Sequence, residues 1–368
     1  MKISLNNNDL KQFNKLLETK DINISIADLL LDYLENYRTN IDINLFTSFE
    51  NCNDEKAFYY ALMDTMEIDL KNKENVFIGE NFIYPGIKYL DTKTYEENPY
   101  VKKMKIKGQK INNLELKYLS YLPYEGFPFD DIKTNEKKYF QEITQLGFFK
   151  KPYHFLALLE NNEIWMSVNP NEIETMKKPI ANANGNIVVF GLGLGYFAYM
   201  CSLKDEVKHI TIIENNKKII ELFKAKLFPL FENKEKITII NSDAFTYLQT
   251  INNKAFTYGF VDLWHNPNDG IYAFLTFKSY ESQLPTIHFD YWLEEGLLSL
   301  LRRCLITLIE EEIDGSTDEH YKVSECETDK IINKSHFFLK NHLIKNYNDI
   351  EKLLSDDSLK SLAKNLYK

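Results

Sequence analysis

The chain is poor in glycine, with 13 among 368 residues, and poorer still in cysteine, with four, and tryptophan, with three. Cys52, Cys201, Cys304 and Cys326 form no C-x-x-C pair and no dense framework, which excludes a disulfide scaffold or a thiolate zinc site and points to reduced thiols in the cytoplasm. Long apolar runs are also missing. The most apolar helical stretch, 296–309, is interrupted by Arg302 and Arg303 and is too short to span a bilayer. Residues 1–9 hold no apolar core of signal-peptide length, so a soluble cytoplasmic protein without a membrane is expected. Positive charge is the deficient sign, 44 Lys and Arg against 54 Asp and Glu, and a net charge of −10 argues against broad capture of nucleic acid. No motif signals an oligomeric state.

Catalytic signatures are missing in the same way. There is no G-x-x-x-x-G-K-[ST] phosphate loop, no G-x-S-x-G nucleophile elbow, no Asn-Pro-Pro-Tyr strand end and no His/Cys cluster suited to a metal. The one dense basic stretch, Lys102, Lys103, Lys105, Lys107 and Lys110, alternates with Met104 and Ile106 and reads as the solvent side of an edge strand. Aromatics are plentiful at 14 %, nearly all Phe and Tyr, and this abundance reads as packing between layers.

Against that background the glycines matter by position. Three fall in Gly191-Leu192-Gly193-Leu194-Gly195, directly after the apolar run Ile187-Val188-Val189-Phe190. Glycine lacks the Cβ that blocks close approach, so a glycine cluster at a strand exit is either a tight turn or a place where backbone N–H groups meet a nucleotide-like ligand.

Strand and helix patterns alternate from there: strands over 186–190, 209–213, 236–240 and 257–263, helices over 196–203, 217–231 and 245–251. Continuously apolar strands separated by helices signify a parallel sheet buried on both faces. The fold expected is α/β, a Rossmann-like doubly wound and mainly parallel sheet. Residues 1–150, helical and then mixed, form an N-terminal α+β accessory domain. A β-hairpin and connector occupy 151–180, with strands over 153–159 and 163–168 turning at Asn161-Asn162. The Rossmann-like domain covers 181–313, including helices over 271–280 and 294–312 and a strand near 287–292. A turn at 314–318 opens a tail, 314–368, read as two polar helices.

Ligands of doubly wound sheets sit beyond the carboxyl ends of the strands. Those ends carry the glycine loop, then Glu214, then Asp243-Ala244, then Asp262-Leu263-Trp264-His265. For an adenosine ligand each has a task. The loop backbone meets the polar end of the ligand, and Glu214 accepts from the ribose hydroxyls. Asp243 accepts from the adenine amino group, and the Ala244 backbone meets a ring nitrogen. Each also has a plainer reading: Glu214 as a solvated strand end, Asp243 as the cap of the helix it precedes, Trp264 as core, His265 as a surface residue. Tyr196 stands where a dinucleotide G-x-G-x-x-G motif requires glycine, which excludes that ligand class.

The set over 186–264 resembles the class I S-adenosylmethionine-dependent methyltransferase family. The resemblance implies S-adenosylmethionine held by Gly191, Gly193, Gly195, Glu214, Asp243, Ala244 and Asp262, and in-line methyl transfer to a small-molecule or protein acceptor. Asp262 lies where sulfonium and acceptor meet, and His265 is the candidate base or orienting group. The layout of Leu158-Leu159-Glu160-Asn161-Asn162-Glu163-Ile164 followed by Asn171-Glu172 is similar to the spermidine synthase branch, which transfers an aminopropyl group from decarboxylated S-adenosylmethionine to an amine. The chain departs from that branch twice. Its glycines alternate with Leu instead of adjoining, and the branch's second strand-four Asp is replaced by His265, with Asp269 standing further on. Aminopropyl transfer is therefore the alternative to methyl transfer, and a non-catalytic adenosine-ligand-binding or assembly protein is the third reading.

Overall fold

The computed structural model describes residues 1–49, 52–111, 113–316 and 326–367. Five strands, Gly185–Phe190, Val207–Glu214, Ile237–Asn241, Tyr258–Val261 and His288–Tyr291, make one sheet with every pair parallel. In space they run third, second, first, fourth, fifth. Phe190 is opposite Ile213 on one side and Val261 on the other, so the chain order reverses at the first strand. That reversal opens a crevice at the carboxyl end of the first strand.

Burial follows from composition. Ile187–Phe190 and Tyr258–Val261 are buried throughout because helices cover both faces, whereas the edge strands Ile237–Asn241 and His288–Tyr291 lose the continuous apolar run. Asn216 opens the helix Lys217–Lys226 by accepting the N–H groups of Lys218 and Ile219. Asn266 and Asp269 close a capping box at the start of Pro267–Glu281, with Pro267 at the first helical position. Phe197, on the helix after the glycine loop, stacks on Phe260 of the fourth strand at 4.1 Å between centroids.

The hairpin Tyr153–Glu160 and Glu163–Ser167 turns at Asn161 and Asn162, φ 54° and 71°, a conformation asparagine tolerates. It is more than a connector. Tyr153–Glu160 pairs antiparallel with Leu114–Tyr121 along its whole length, so hairpin and N-terminal region share one four-stranded sheet. The rest of the N-terminal region packs the helix Asp54–Thr65 on a three-stranded sheet, with Phe58 stacked on Phe148 at 4.3 Å, and lays the helix Asn7–Asp32 against the strand Gln141–Ile143.

The lysine stretch corrects the edge-strand expectation. Asn98 caps and Pro99 starts a short helix, Pro99–Lys103, so Lys102 and Lys103 are helical and only Lys110 lies in the edge strand Gln109–Ile111. The tail differs as well. Three helices, Glu327–Leu339, Tyr347–Leu354 and Asp356–Leu366, pack around Glu294–Asp314 and Pro267–Glu281. Gly315, φ 74°, ends Glu294–Asp314 in the left-handed conformation, while Thr317 and Asp318 of the expected turn lie outside the described residues. Arg302 is buried, donating from Nε to the Leu354 carbonyl at 3.0 Å and pairing through Nη2 with Asp356, while its Nη1 has no partner among the described residues. No helix among the described residues is long and apolar enough to cross a membrane.

Candidate functional site

A cavity of about 540 Å³ lies at the carboxyl end of the sheet, within the size range of small-molecule sites. Gly191, Gly193, Glu214, Asp243, Ala244, Asp262, Trp264 and His265 all line it, as do the hairpin residues 164–167. Gly195 does not line it.

The three glycines serve three purposes. A Cβ on Gly191, φ 101°, would stand 2.0 Å from the carbonyl oxygen of Asp262, so this glycine lets the ends of the first and fourth strands converge. A Cβ on Gly195, φ 77°, would strike the Phe223 ring at 2.5 Å, so this one seats the following helix against the core. At Gly193, φ 53°, a Cβ would meet nothing within 4 Å. Of the three, Gly193 faces open space at the cavity.

Glu214 is no solvated strand end. Its Oε2 accepts the Leu192 N–H at 3.2 Å and its Oε1 the Asn216 N–H at 2.7 Å, which ties the glycine loop to the second strand. Each oxygen keeps a further lone pair, and Glu214 lines the cavity. Asp243 serves both readings at once: Oδ1 accepts the Thr246 N–H at 2.8 Å and caps the helix Ala244–Leu248, and the residue still lines the cavity.

The acids give the site its electrostatic character. Burial pushes the Asp262 carboxyl up to about 7, and the nearby Glu214 charge adds to the rise. Burial, together with the charge of Asp262, also raises Glu172 well above the usual carboxylate range. Neither carboxyl accepts or donates a hydrogen bond among the described residues, and no Lys or Arg lines the cavity.

Glu172 was not among the expected site residues. It follows the hairpin in the helix Pro170–Thr175, whose cap Asn169 accepts the Glu172 N–H at 3.1 Å. The capping pattern is visible in the sequence, but nothing in its spacing relates that helix to a rim twenty to ninety residues further on.

Trp264 is both core and wall. It is 6 % exposed, its Nε1–H donates to the Trp292 carbonyl at 3.1 Å, and Gly270 packs so closely that a Cβ would lie 2.5 Å from the indole. His265 stands at the rim with its side chain 62 % exposed and Nδ1 3.0 Å from Asp269 Oδ2. Asp269 is absent from the cavity lining.

The N-terminal region grips the glycine loop from behind. Tyr100 Oη donates to the Leu194 carbonyl at 2.5 Å, Asn98 Nδ2 donates to Tyr196 Oη at 3.0 Å, and the Tyr100 and Tyr196 rings meet edge to face at 5.5 Å. Tyr196 thus fills, at the start of the helix Tyr196–Ser202, the place where a dinucleotide loop has glycine. No group of three His, Cys, Asp or Glu side chains among the described residues is placed to hold a metal ion.

Fold and cavity together define a doubly wound α/β protein with an acidic cavity at its switch point. Among solved structures it is similar to a spermidine synthase from Thermotoga maritima, at 13 % identity and a TM-score of 0.30 over 54 % of this chain and 61 % of that one. It is also similar to MNMC2 from Aquifex aeolicus, at 16 % identity and a TM-score of 0.27 over 41 % and 60 %. The chain spans about three fifths of the length of each. No protein-family model and no curated protein matches it.

Proposed function

We propose that this protein is a transferase that uses an S-adenosylmethionine-type donor and methylates an amine acceptor. The observation that carries the reading is the convergence of Gly193, Glu214, Asp243 and Asp262 on one cavity at the switch point. The residues present fit the donor. Gly193 leaves room for a ligand at the loop backbone, Glu214 keeps acceptor capacity for ribose hydroxyls, and Asp243 with Ala244 edges an adenine position. Bound there, the donor supplies a carbon activated by its attached sulfonium.

The chain's own work is to bind, orient and move a proton. Trp264 and Trp292 wall off water. A protonated amine has to lose its proton before its nitrogen attacks, and Asp262, with its carboxyl near 7, exchanges protons at neutral pH. Methyl transfer comes first because Asp269, the next acid along the chain after Asp262, lies in the first turn of the following helix and is turned to His265 and Asn266. That loop therefore offers no second carboxylate for a diamine.

One observation favours the second reading, aminopropyl transfer from the decarboxylated donor. With Glu172 and Asp262 unpartnered and no Lys or Arg in the lining, nothing with a full positive charge offsets the donor's α-carboxylate. Calorimetry with both donor forms, followed by a radiolabel transfer assay on a panel of amines, separates the two. Methyl transfer requires binding of S-adenosylmethionine at least as tight as that of its decarboxylated form. Clear preference for the decarboxylated form sinks methyl transfer, and binding of neither sinks both.

A further inference from the structure

We infer that Asp269 is a positioning residue that fixes the tautomer of His265, holding the proton on Nδ1 and leaving the Nε2 lone pair bare. Asp269 stands just beyond His265, which takes the place of the spermidine synthase branch's second strand-four Asp, and its carboxylate is turned to the backbone and ring of His265. Oδ2 lies 3.0 Å from His265 Nδ1, both oxygens lie 3.2 Å from the His265 N–H, and Oδ1 accepts the Asn266 N–H at 2.9 Å. Its own N–H donates back to Asn266 Oδ1 at 3.3 Å, so the side chain is anchored in the first turn of the fifteen-residue helix Pro267–Glu281. Although burial pushes the carboxyl up, these donated hydrogen bonds hold it below the usual range, and it is ionised at neutral pH.

An ionised carboxylate only accepts hydrogen bonds. The Nδ1 facing it must therefore carry the hydrogen, and a neutral imidazole then has its lone pair on Nε2. His265 lines the cavity, and its Nε2 has no hydrogen-bond partner among the described residues. The arrangement is that of a base oriented by a carboxylate. Its consequence for turnover rests on the transferase reading: Nε2 accepts a hydrogen bond from the acceptor nitrogen and orients it while Asp262 takes up the proton, and Asp269 exchanges nothing. The tautomer itself does not depend on that reading.

Nitrogen NMR of the full chain labelled with [15N]histidine tests it, with the His265 signals assigned by their loss in His265→Gln. The wild type at a pH where the ring is neutral is expected to show a protonated Nδ1 and a bare Nε2. Asp269→Asn keeps an oxygen for the backbone N–H groups but presents an amide donor to Nδ1, and is expected to move the hydrogen to Nε2. Asp269→Ser, which keeps a capping hydroxyl, is expected to do the same if the Asn variant folds poorly. A wild-type ring already protonated on Nε2, or a tautomer unchanged in both variants, overturns the inference.

In the transfer assay His265→Gln and Asp269→Asn are each expected to lower kcat by on the order of 10²-fold, with the double variant no worse than the singles. Multiplicative losses, or a reversed tautomer with full turnover, overturn the link to catalysis. A wild type that binds neither donor form is a failure of the transferase reading instead, and the ring signals still decide what Asp269 does.

Discussion

Gly191 and Asp262 touch through their backbones: a Cβ on the glycine would stand 2.0 Å from the aspartate carbonyl oxygen, and the Asp262 N–H donates to Phe190 O at 2.9 Å. The glycine loop and the acidic strand end are thus one unit. Gly191→Ala forces a side chain into both the left-handed conformation and this contact, and is expected to destabilise the fold by about 3 kcal/mol. Denaturant unfolding measures it, and an unchanged midpoint means the two strand ends are further apart than described.

Gly193→Val has the opposite profile. Space around the missing Cβ is open, so the expected cost is about 1–2 kcal/mol for the left-handed backbone alone. The valine projects where a ligand meets the loop, so donor affinity by calorimetry is expected to fall at least about tenfold, some 1.4 kcal/mol. Retained affinity removes Gly193 from the donor site.

The contrast between these glycines marks how far the sequence was legible. The sheet was readable because Ile187–Phe190 and Tyr258–Val261 are apolar runs bounded by turn residues, and such runs depend on local composition. The rim residues were readable because strand ends fall next to one another once the sheet exists. What each glycine is for was not readable, since Phe223 and Asp262 are neighbours only in space. The pairing of Tyr153–Glu160 with Leu114–Tyr121 and the approach of Glu172 to Asp262 were hidden for the same reason. The lysine stretch is a different kind of miss, because Asn98-Pro99 is a helix start written in the sequence and the Lys alternation obscured it.

Tyr100 tests the grip of the N-terminal region on the loop. Tyr100→Phe keeps the buried ring and removes the donor to the Leu194 carbonyl, leaving that oxygen without its partner. The expected cost is about 1–3 kcal/mol. Because Leu194 lies inside the glycine loop, donor binding is expected to weaken along with stability. Loss of stability with unchanged donor affinity means that the grip holds the fold together and leaves the loop's shape alone.

Asp262 couples stability and function with opposite signs. Its carboxyl titrates near 7 in the folded protein against about 3.9 in an unfolded chain, so between those values the folded state binds the extra proton. Stability contributed by this group is present below pH 4, declines as pH rises through the window, and is replaced above pH 7 by the full cost of a buried charge. Asp262→Asn removes that cost. Its advantage over the wild type in urea unfolding is expected to grow from near zero at pH 4 to on the order of 4 kcal/mol at pH 8. The same variant is expected to lose most turnover in the transfer assay, since an amide takes up no proton at neutral pH. A variant no more stable than the wild type at pH 8 means that Asp262 is solvated or partnered in the folded protein, and a stabilised variant with full turnover means that its carboxylate is not part of the chemistry.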